Sequence, residues 1–128
     1  MAGLMPTAKK GEKEMKVSDL IRQLDLKLFS GESGIERDIR GGYVSDLLSD
    51  VMGFAEEGEI WITLQTHQNV AAVASLKELP AILLVKGFEP EPETIKHSNE
   101  EGIPILGTSL TTFEITGRIY NLLKHTID

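Results

Sequence analysis

The stretch Gly58-Glu-Ile-Trp-Ile-Thr-Leu-Gln-Thr-His-Gln-Asn-Val-Ala-Ala-Val-Ala74 decides the fold class of this chain. Its residues 60–64 form a short apolar run with β-branched and aromatic side chains, which predicts a buried strand. Residues 70–76 change to an Ala-rich apolar pattern of helical type. The polar corner between them, 65–69, lies where a strand ends and a helix begins. In open α/β sheets such corners often face ligands, because free N–H groups and the positive end of the helix dipole point there.

Strands and helices continue to alternate after this stretch. The pattern predicts strands over 60–64, 81–85 and about 104–106, and helices over 68–77, 92–101 and about 110–123. The run 82–85 is apolar throughout, as expected for a strand that is covered on both faces. Alternating strands and helices predict a parallel sheet with right-handed crossovers. We therefore expect a small, three-layer-like α/β domain with a mostly parallel sheet and flanking helices.

The first half of the chain predicts shorter elements. They are a helix over 17–24 with Ser18 as its cap, a strand over 26–29, a turn over 30–34, a glycine-interrupted strand over 39–44, and a helix over 46–52 that stops at Gly53. The Gly41-Gly42 pair predicts a β-bulge within its strand, the alternative being a close approach by another backbone or a ligand. Asp46 is expected to support the N-terminus of its helix electrostatically.

Composition limits the classes of partner. The chain has 128 residues, a net charge of −7 and no cysteine, which predicts one domain and fits a reducing cytoplasm. The acidic balance argues against nucleic acid or an anionic membrane as the main partner. No apolar run reaches the length of a membrane span. We expect a disordered tail over 1–14, followed by a single domain over 15–128.

The corner residues Thr66, His67 and Asn69 are candidate ligand contacts. The alternative is that they only cap the helix that begins near residue 68. His67 has no companions at metal-ligand spacing and no serine or cysteine nucleophile at a recognisable elbow, so neither a metal site nor a catalytic role is expected.

Three more candidates follow the other predicted strands: Gly87, Thr108 and Thr111. The segment Gly102-Ile-Pro-Ile-Leu-Gly-Thr-Ser109 is the nearest match to a nucleotide phosphate loop, but it lacks the lysine that reaches the phosphates. Thr108 or Ser109 is expected to cap the last helix, with Glu114 nearby, and the same hydroxyls could still contact a ligand.

Two stretches of the chain resemble a known family. The segment Leu28-Phe-Ser-Gly-Glu-Ser-Gly-Ile-Glu-Arg-Asp-Ile39 resembles the Gly-x-x-Gly-Leu-Asp-Arg-x-Ile signature in the N-terminal domain of HPr serine kinase. Three segments, 43–52, 66–69 and 102–106, carry a second resemblance. Their sequence and order resemble those of the compact DRTGG-domain proteins that accompany iron-only hydrogenase genes. Thr66-His67 occupies the place of the family's Asp-Arg. Val85-Lys86-Gly87 occupies that of Thr-Gly-Gly, with only the last glycine kept.

The resemblance implies a regulatory module that is not an enzyme and needs no cofactor, since the kinase phosphate loop belongs to a separate C-terminal domain. Two classes of function are open. One is a sensor of a small, possibly nucleotide or anionic, ligand at the strand carboxyl ends, and the other is a docking module for a hydrogenase-related or signalling protein. The resemblance also implies a homodimer, for which residues 41–43 and the helix Ser45–Met52 are the candidate surface.

Overall fold

A computed structural model describes residues 15–67 and 69–127, so the expected tail lies outside the described residues. The elements, in chain order, are β1 (Met15–Lys16), α1 (Val17–Leu24), β2 (Lys27–Ser30), a 3-10 turn (Glu32–Gly34), β3 (Asp38–Ile39), β4 (Gly41–Val44), α2 (Leu48–Phe54), β5 (Glu59–Thr63), α3 (Asn69–Leu76), β6 (Ile82–Leu84), α4 (Pro92–Glu101), β7 (Ile105–Gly107) and α5 (Thr112–Ile127). None of these helices is long and apolar enough to cross a membrane.

The main sheet has five strands in the order β2-β7-β6-β5-β4. Strands β4, β5, β6 and β7 are parallel, and β2 pairs with β7 in the antiparallel direction. The predicted strands 60–64 and 81–85 correspond to β5 and β6, which are parallel neighbours, since Ile62 lies opposite Leu83. The mostly parallel α/β class is confirmed.

Two hydrophobic clusters cover the two faces of the sheet. Ile60, Ile62 and Leu83 belong to the cluster that also contains residues of α1 and α5. Trp61 and Ile82 belong to the other cluster, with residues of α2 and α3. Neighbouring strand residues thus pack on opposite faces, which is why these strands are apolar at every position.

Strand β4 differs from the expected strand over 39–44. The chain changes sheets at Arg40: Asp38–Ile39 pairs with β1 in a two-stranded sheet, and Gly41–Val44 joins the main sheet. No bulge occurs at Gly41 and Gly42, which lie in unbroken register with β5, so that prediction was wrong. The register shift lies in β2, between Leu28 and Ser30.

Helix α2 begins two residues later than expected and continues past Gly53. Asp46 does not support the N-terminus of α2 as expected. Its Oδ1 accepts hydrogen bonds from the Thr63 hydroxyl at 2.8 Å and the Leu64 N–H at 2.7 Å, at the end of β5. Tyr43 donates to Asp50 Oδ2 at 2.9 Å and ties α2 to β4. Desolvation, and then this bond to the Asp50 carboxylate, raise the pKa of Tyr43.

Helix α1 starts from Lys16, not from the expected Ser18. Asp19 Oδ2 accepts the Lys16 N–H at 2.9 Å, and Asp19 Oδ1 accepts from Arg22 at 3.0 Å. These two bonds, the backbone one first, hold the pKa of Asp19 below its usual value.

Candidate functional site

The loops that leave β6 and β7 meet at the carboxyl edge of the parallel sheet. Lys86 N–H donates to the Leu110 carbonyl, and Gly87 N–H donates to the Thr108 carbonyl, both at 2.9 Å. Lys86 and Gly87 have φ angles of 59° and 77°, so two successive residues are left-handed and the chain turns sharply after β6. These bonds place Gly87 beside Thr108, as the sequence predicts for two strand ends.

A depression of about 520 Å³ opens at this edge. Its lining combines the two predicted positions, Gly87 and Thr108, with hydroxyl, aromatic and cationic side chains: Ser109, Phe29, Phe88, Lys27 and Arg118. Asp25 and Glu89 add two carboxylates to the rim.

The ring of Phe29 shapes the floor because Gly107 leaves room for it. A Cβ on Gly107 would lie only 2.4 Å from the Phe29 ring, so a side chain there would push the ring away. The Lys27 Nζ lies 4.8 Å from the centre of the same ring. At that distance the ammonium is attracted to the ring face.

Both cations of the depression hold only weak ion pairs. Lys27 Nζ lies 4.0 Å from Glu89 Oε2, and Arg118 lies 3.2 Å from Glu114 Oε2 within α5. All four side chains are about half or more exposed. Exposed pairs of this kind contribute about 0–1 kcal/mol, so a bound anion can replace either carboxylate at small cost.

The Thr66-His67-Asn69 corner has a separate role in the structure. The Thr66 carbonyl accepts the Glu91 N–H at 3.0 Å and the Thr94 hydroxyl at 2.7 Å, and so holds the start of α4. The His67 carbonyl accepts the Val70 N–H at 3.2 Å at the start of α3. Thr66 and His67 are half-buried and Asn69 is exposed. The corner follows β5 at the same sheet edge, but its three residues do not line the depression that contains Gly87 and Thr108.

Thr111 belongs to the last helix. Its hydroxyl accepts the Glu114 N–H at 3.3 Å, and its carbonyl accepts the Ile115 N–H at 3.0 Å. The expected cap, Thr108 or Ser109, is therefore wrong, and Thr111 caps α5. The Thr108 hydroxyl instead accepts the Leu110 N–H at 3.2 Å. Of the six predicted site residues, the structure brings only Gly87 and Thr108 into one depression.

Sequence reasoning missed Lys27, Phe29 and Arg118. Lys27 and Phe29 are two residues apart on β2 and therefore point to the same face of the strand. This spacing was the one sequence feature that could have linked them. The antiparallel pairing of β2 with β7 and the packing of α5 bring them to Thr108, and neither can be read from local periodicity. In the part of the chain that the structure describes, no group of three or more His, Asp or Glu side chains could hold a metal ion.

Comparison with known proteins identifies similar chains. The DRTGG domain family matches residues 19–122. The HPr kinase/phosphorylases of Bacillus cereus (strain G9842) and Bacillus mycoides (strain KBAB4) are each 29% identical over 126 residues. Each alignment covers 87% of this chain and 41% of the relative, so the chain spans about two fifths of the length of these curated relatives.

A crystal structure of the CBS and DRTGG domains from the regulatory region of Clostridium perfringens pyrophosphatase, complexed with its activator diadenosine tetraphosphate, has a similar fold. The TM-score is 0.68, with 16% sequence identity over 91% of this chain and 52% of that chain. At this identity the likeness shows the fold.

Proposed function

Because this chain belongs to the DRTGG domain family, we propose that it is a regulatory, non-catalytic module that binds a small anionic ligand of the nucleotide class at the carboxyl edge of its sheet. The pyrophosphatase region of similar fold is a regulatory region whose activator is a dinucleotide, and this supports the proposal by analogy. The HPr kinase relatives are enzymes, but this chain spans only part of their length.

The observation that carries the proposal is the composition of the depression beside Gly87 and Thr108. Its volume of about 520 Å³ lies within the range of about 300–1,000 Å³ for small-molecule sites. An aromatic surface favours contact with a nucleotide base and cations favour contact with its phosphates, and this depression offers both.

Each side chain then has a defined task. Phe29 and Phe88 offer apolar faces to the base. Arg118 and Lys27 bind phosphate oxygens in place of Glu114 and Glu89. The hydroxyls of Thr108 and Ser109 donate further hydrogen bonds.

The corner Thr66, His67 and Asn69 remains a predicted second contact region. It lies at the carboxyl end of β5, along the same edge as the depression. A ligand with two nucleoside ends would offer a second group for contact with this corner. Thr111 remains a predicted contact as well, although its hydroxyl already caps α5.

A thermal-shift and calorimetry series with phosphate, AMP, ATP and diadenosine tetraphosphate tests the proposal. A ligand at about 100 times its dissociation constant stabilises a protein by about 2.7 kcal/mol, a melting shift of several degrees for a domain of this size. We expect Arg118→Ala to weaken the binding of the active compound about tenfold to a hundredfold, since a bond to a charged group contributes about 1.5–3 kcal/mol. ATP should be recovered unchanged after incubation.

Arg22→Ala is the matched control, because Arg22 is also an exposed helix arginine paired with a carboxylate of its own helix, Asp19. Equal binding by both variants would contradict the site. A loss in His67→Ala with no loss in Arg118→Ala would move the site to the corner. If no compound shifts the melting temperature, the docking function, with a hydrogenase-related or signalling partner, becomes the leading one.

A further inference from the structure

Strand β4 leaves one side of the main sheet open. It is the last strand in the order β2-β7-β6-β5-β4 and, among the described residues, pairs only with β5. Just before β4, the Arg40 N–H donates to the Gly58 carbonyl at 2.8 Å and so faces β5. Because backbone groups alternate in direction along a strand, the N–H and C=O groups of Gly41 and Tyr43 face the open edge. Such groups are a template for an additional strand.

Strand β1 closes one end of this edge. It pairs with β3, and just beyond it the Val17 N–H donates to the Arg37 carbonyl at 3.0 Å. Since every second residue of an extended chain directs its backbone groups to the same side, β1 lies on the side toward which Gly41 also faces. A strand that pairs with β4 in the antiparallel direction therefore reaches β1 beside Arg40. This position favours the end of a chain over the middle of a longer segment.

A groove of about 460 Å³ lies between β4 and α5 beside the open edge, and we call it the β4–α5 groove. Gly42 contributes no side chain to this groove, and a Cβ there would meet Ile60 Cγ2 at 3.6 Å, an ordinary contact distance. The apolar side chains of its lining are Val44, Ile62, Ile119, Tyr120 and Leu123. The groove therefore has room and an apolar wall for a side chain from a strand that pairs with β4.

Two cations, Arg40 and Lys124, line the β4–α5 groove near the start of β4. Arg40 directly precedes the strand, while Val44 at its end borders residues 112–114 at the start of α5, so Lys124 lies toward the opposite end. Neither cation forms an ion pair within the described residues. The lining holds one carboxylate, Glu59, so cations are in excess here although the whole chain carries −7. This end of the groove is suited to a carboxylate.

We propose that the β4–α5 groove binds the carboxyl-terminal end of a partner polypeptide, which adds to β4 as an antiparallel strand. The peptide backbone bonds to Gly41 and Tyr43, and an apolar side chain near its end fills the space beside Gly42. Its terminal carboxylate is held by Arg40 and Lys124. The antiparallel direction is the one that brings a carboxyl end to the start of β4. This site does not depend on the proposed nucleotide site, which lies at the carboxyl ends of β6 and β7.

Fluorescence anisotropy of the full chain with two labelled hexapeptides tests the proposal. Both peptides alternate threonine and valine and end in valine, but one ends in a free carboxylate and the other in an amide. We expect the chain to bind the free acid at least tenfold more tightly than the amide, because amidation removes the charge that the two cations attract.

Three variants locate the binding site. Arg40→Ala should weaken the binding of the free acid about tenfold and leave that of the amide nearly unchanged, a selective effect that a loss of folding would not give. Gly42→Leu should weaken both peptides at least tenfold, because its side chain fills the groove. Arg37→Ala is the matched control, since Arg37 is also exposed and forms no ion pair within the described residues, but does not line this groove.

Backbone hydrogen exchange at Gly41 and Tyr43 provides a second measurement. Both amides should exchange rapidly in the free protein and become protected when the free-acid peptide is added. The proposal is overturned if neither peptide binds at millimolar concentration, if acid and amide bind equally, or if Gly42→Leu leaves binding intact. Strong protection of the two amides before peptide is added would also overturn it. Protection that rises with protein concentration would identify a second copy as the occupant.

Discussion

Gly34 shows how strongly a single position can constrain this fold. A Cβ there would lie 2.1 Å from the Gly102 carbonyl oxygen, and a Cβ on Gly31 would lie 2.3 Å from that of Ile103. Both contacts are with backbone, which cannot move away as a side chain can. The Gly-x-x-Gly spacing of the signature thus has a packing reason, because it lets the 3-10 turn lie directly on the segment that leads into β7.

We expect Gly34→Ala to destabilise the protein by about 1–3 kcal/mol, the usual cost of overpacking. Gly53→Ala is the control, since Gly53 lies within α2 and a Cβ there meets nothing within 4 Å. That change should stabilise the protein by up to about 1 kcal/mol, because alanine is the better helix former. Urea unfolding measures both, and similar effects of the two changes would contradict the packing reason.

Lys86 is a second informative position. It occupies the place of a glycine in the Thr-Gly-Gly motif of the resemblance, yet it keeps a left-handed φ of 59°. A non-glycine residue pays a steric cost in that region. The chain therefore makes its turn after β6 with a left-handed lysine, which places a cationic side chain at the strand end.

Between elements, β2 and α4 are joined by a buried chain of hydrogen bonds. The Ser30 hydroxyl lies 2.8 Å from that of Ser98, and the Ser98 hydroxyl donates to the Ile103 carbonyl at 2.6 Å. Asn99 Oδ1 also accepts the Gly31 N–H at 2.8 Å. This chain fixes the antiparallel edge strand to the helix that precedes its partner strand, β7.

We expect Ser98→Ala to cost about 1–3 kcal/mol of unfolding free energy, because it leaves the buried Ser30 hydroxyl without its partner. Ser109→Ala is the control: Ser109 is exposed, so its replacement should change stability by less than about 0.5 kcal/mol. Thermal and urea unfolding of the two variants decide the point. A Ser98→Ala variant as stable as Ser109→Ala would show that this chain of bonds does not hold β2 in place.

At the scale of the whole molecule, one sheet supplies both hydrophobic clusters. Ile60 and Ile62 pack on one face while Trp61, between them in β5, packs on the other. If these strands unfolded, the side chains of both clusters would be exposed to water. The two halves of the core are therefore expected to unfold together.

This predicts a single transition in which Trp61 fluorescence and far-ultraviolet circular dichroism have the same midpoint. Trp61 is the one tryptophan of the chain and is fully buried, with Nε1–H bonded to the Ser45 carbonyl at 2.8 Å, so its emission reports the core directly. Protein concentration must be held constant, since self-association would shift the midpoint. Separate midpoints would show that the two faces unfold independently.

The three parallel strands and the helices between them over 59–107 follow from local sequence patterns. Residues 60–63 and 82–85 are buried on both faces, as expected for covered parallel strands. The nearness of Gly87 to Thr108 could also be predicted, because the carboxyl ends of neighbouring parallel strands share an edge.

The placement of the edge strands and the composition of the depression depend on packing between distant parts of the chain. Periodicity tells which side chains are buried, but not which neighbour buries them. Strand β2 joins β7 across more than 70 residues of chain, through the Ser30–Ser98 contact and the room that Gly107 leaves for Phe29. The chain passes from one sheet to the other at Arg40, because β3 pairs with β1 and not with a strand of the main sheet. These pairings depend on packing between segments that are far apart in the sequence. Lys27, Phe29 and Arg118 therefore come to line one depression with Thr108 only in the assembled sheet.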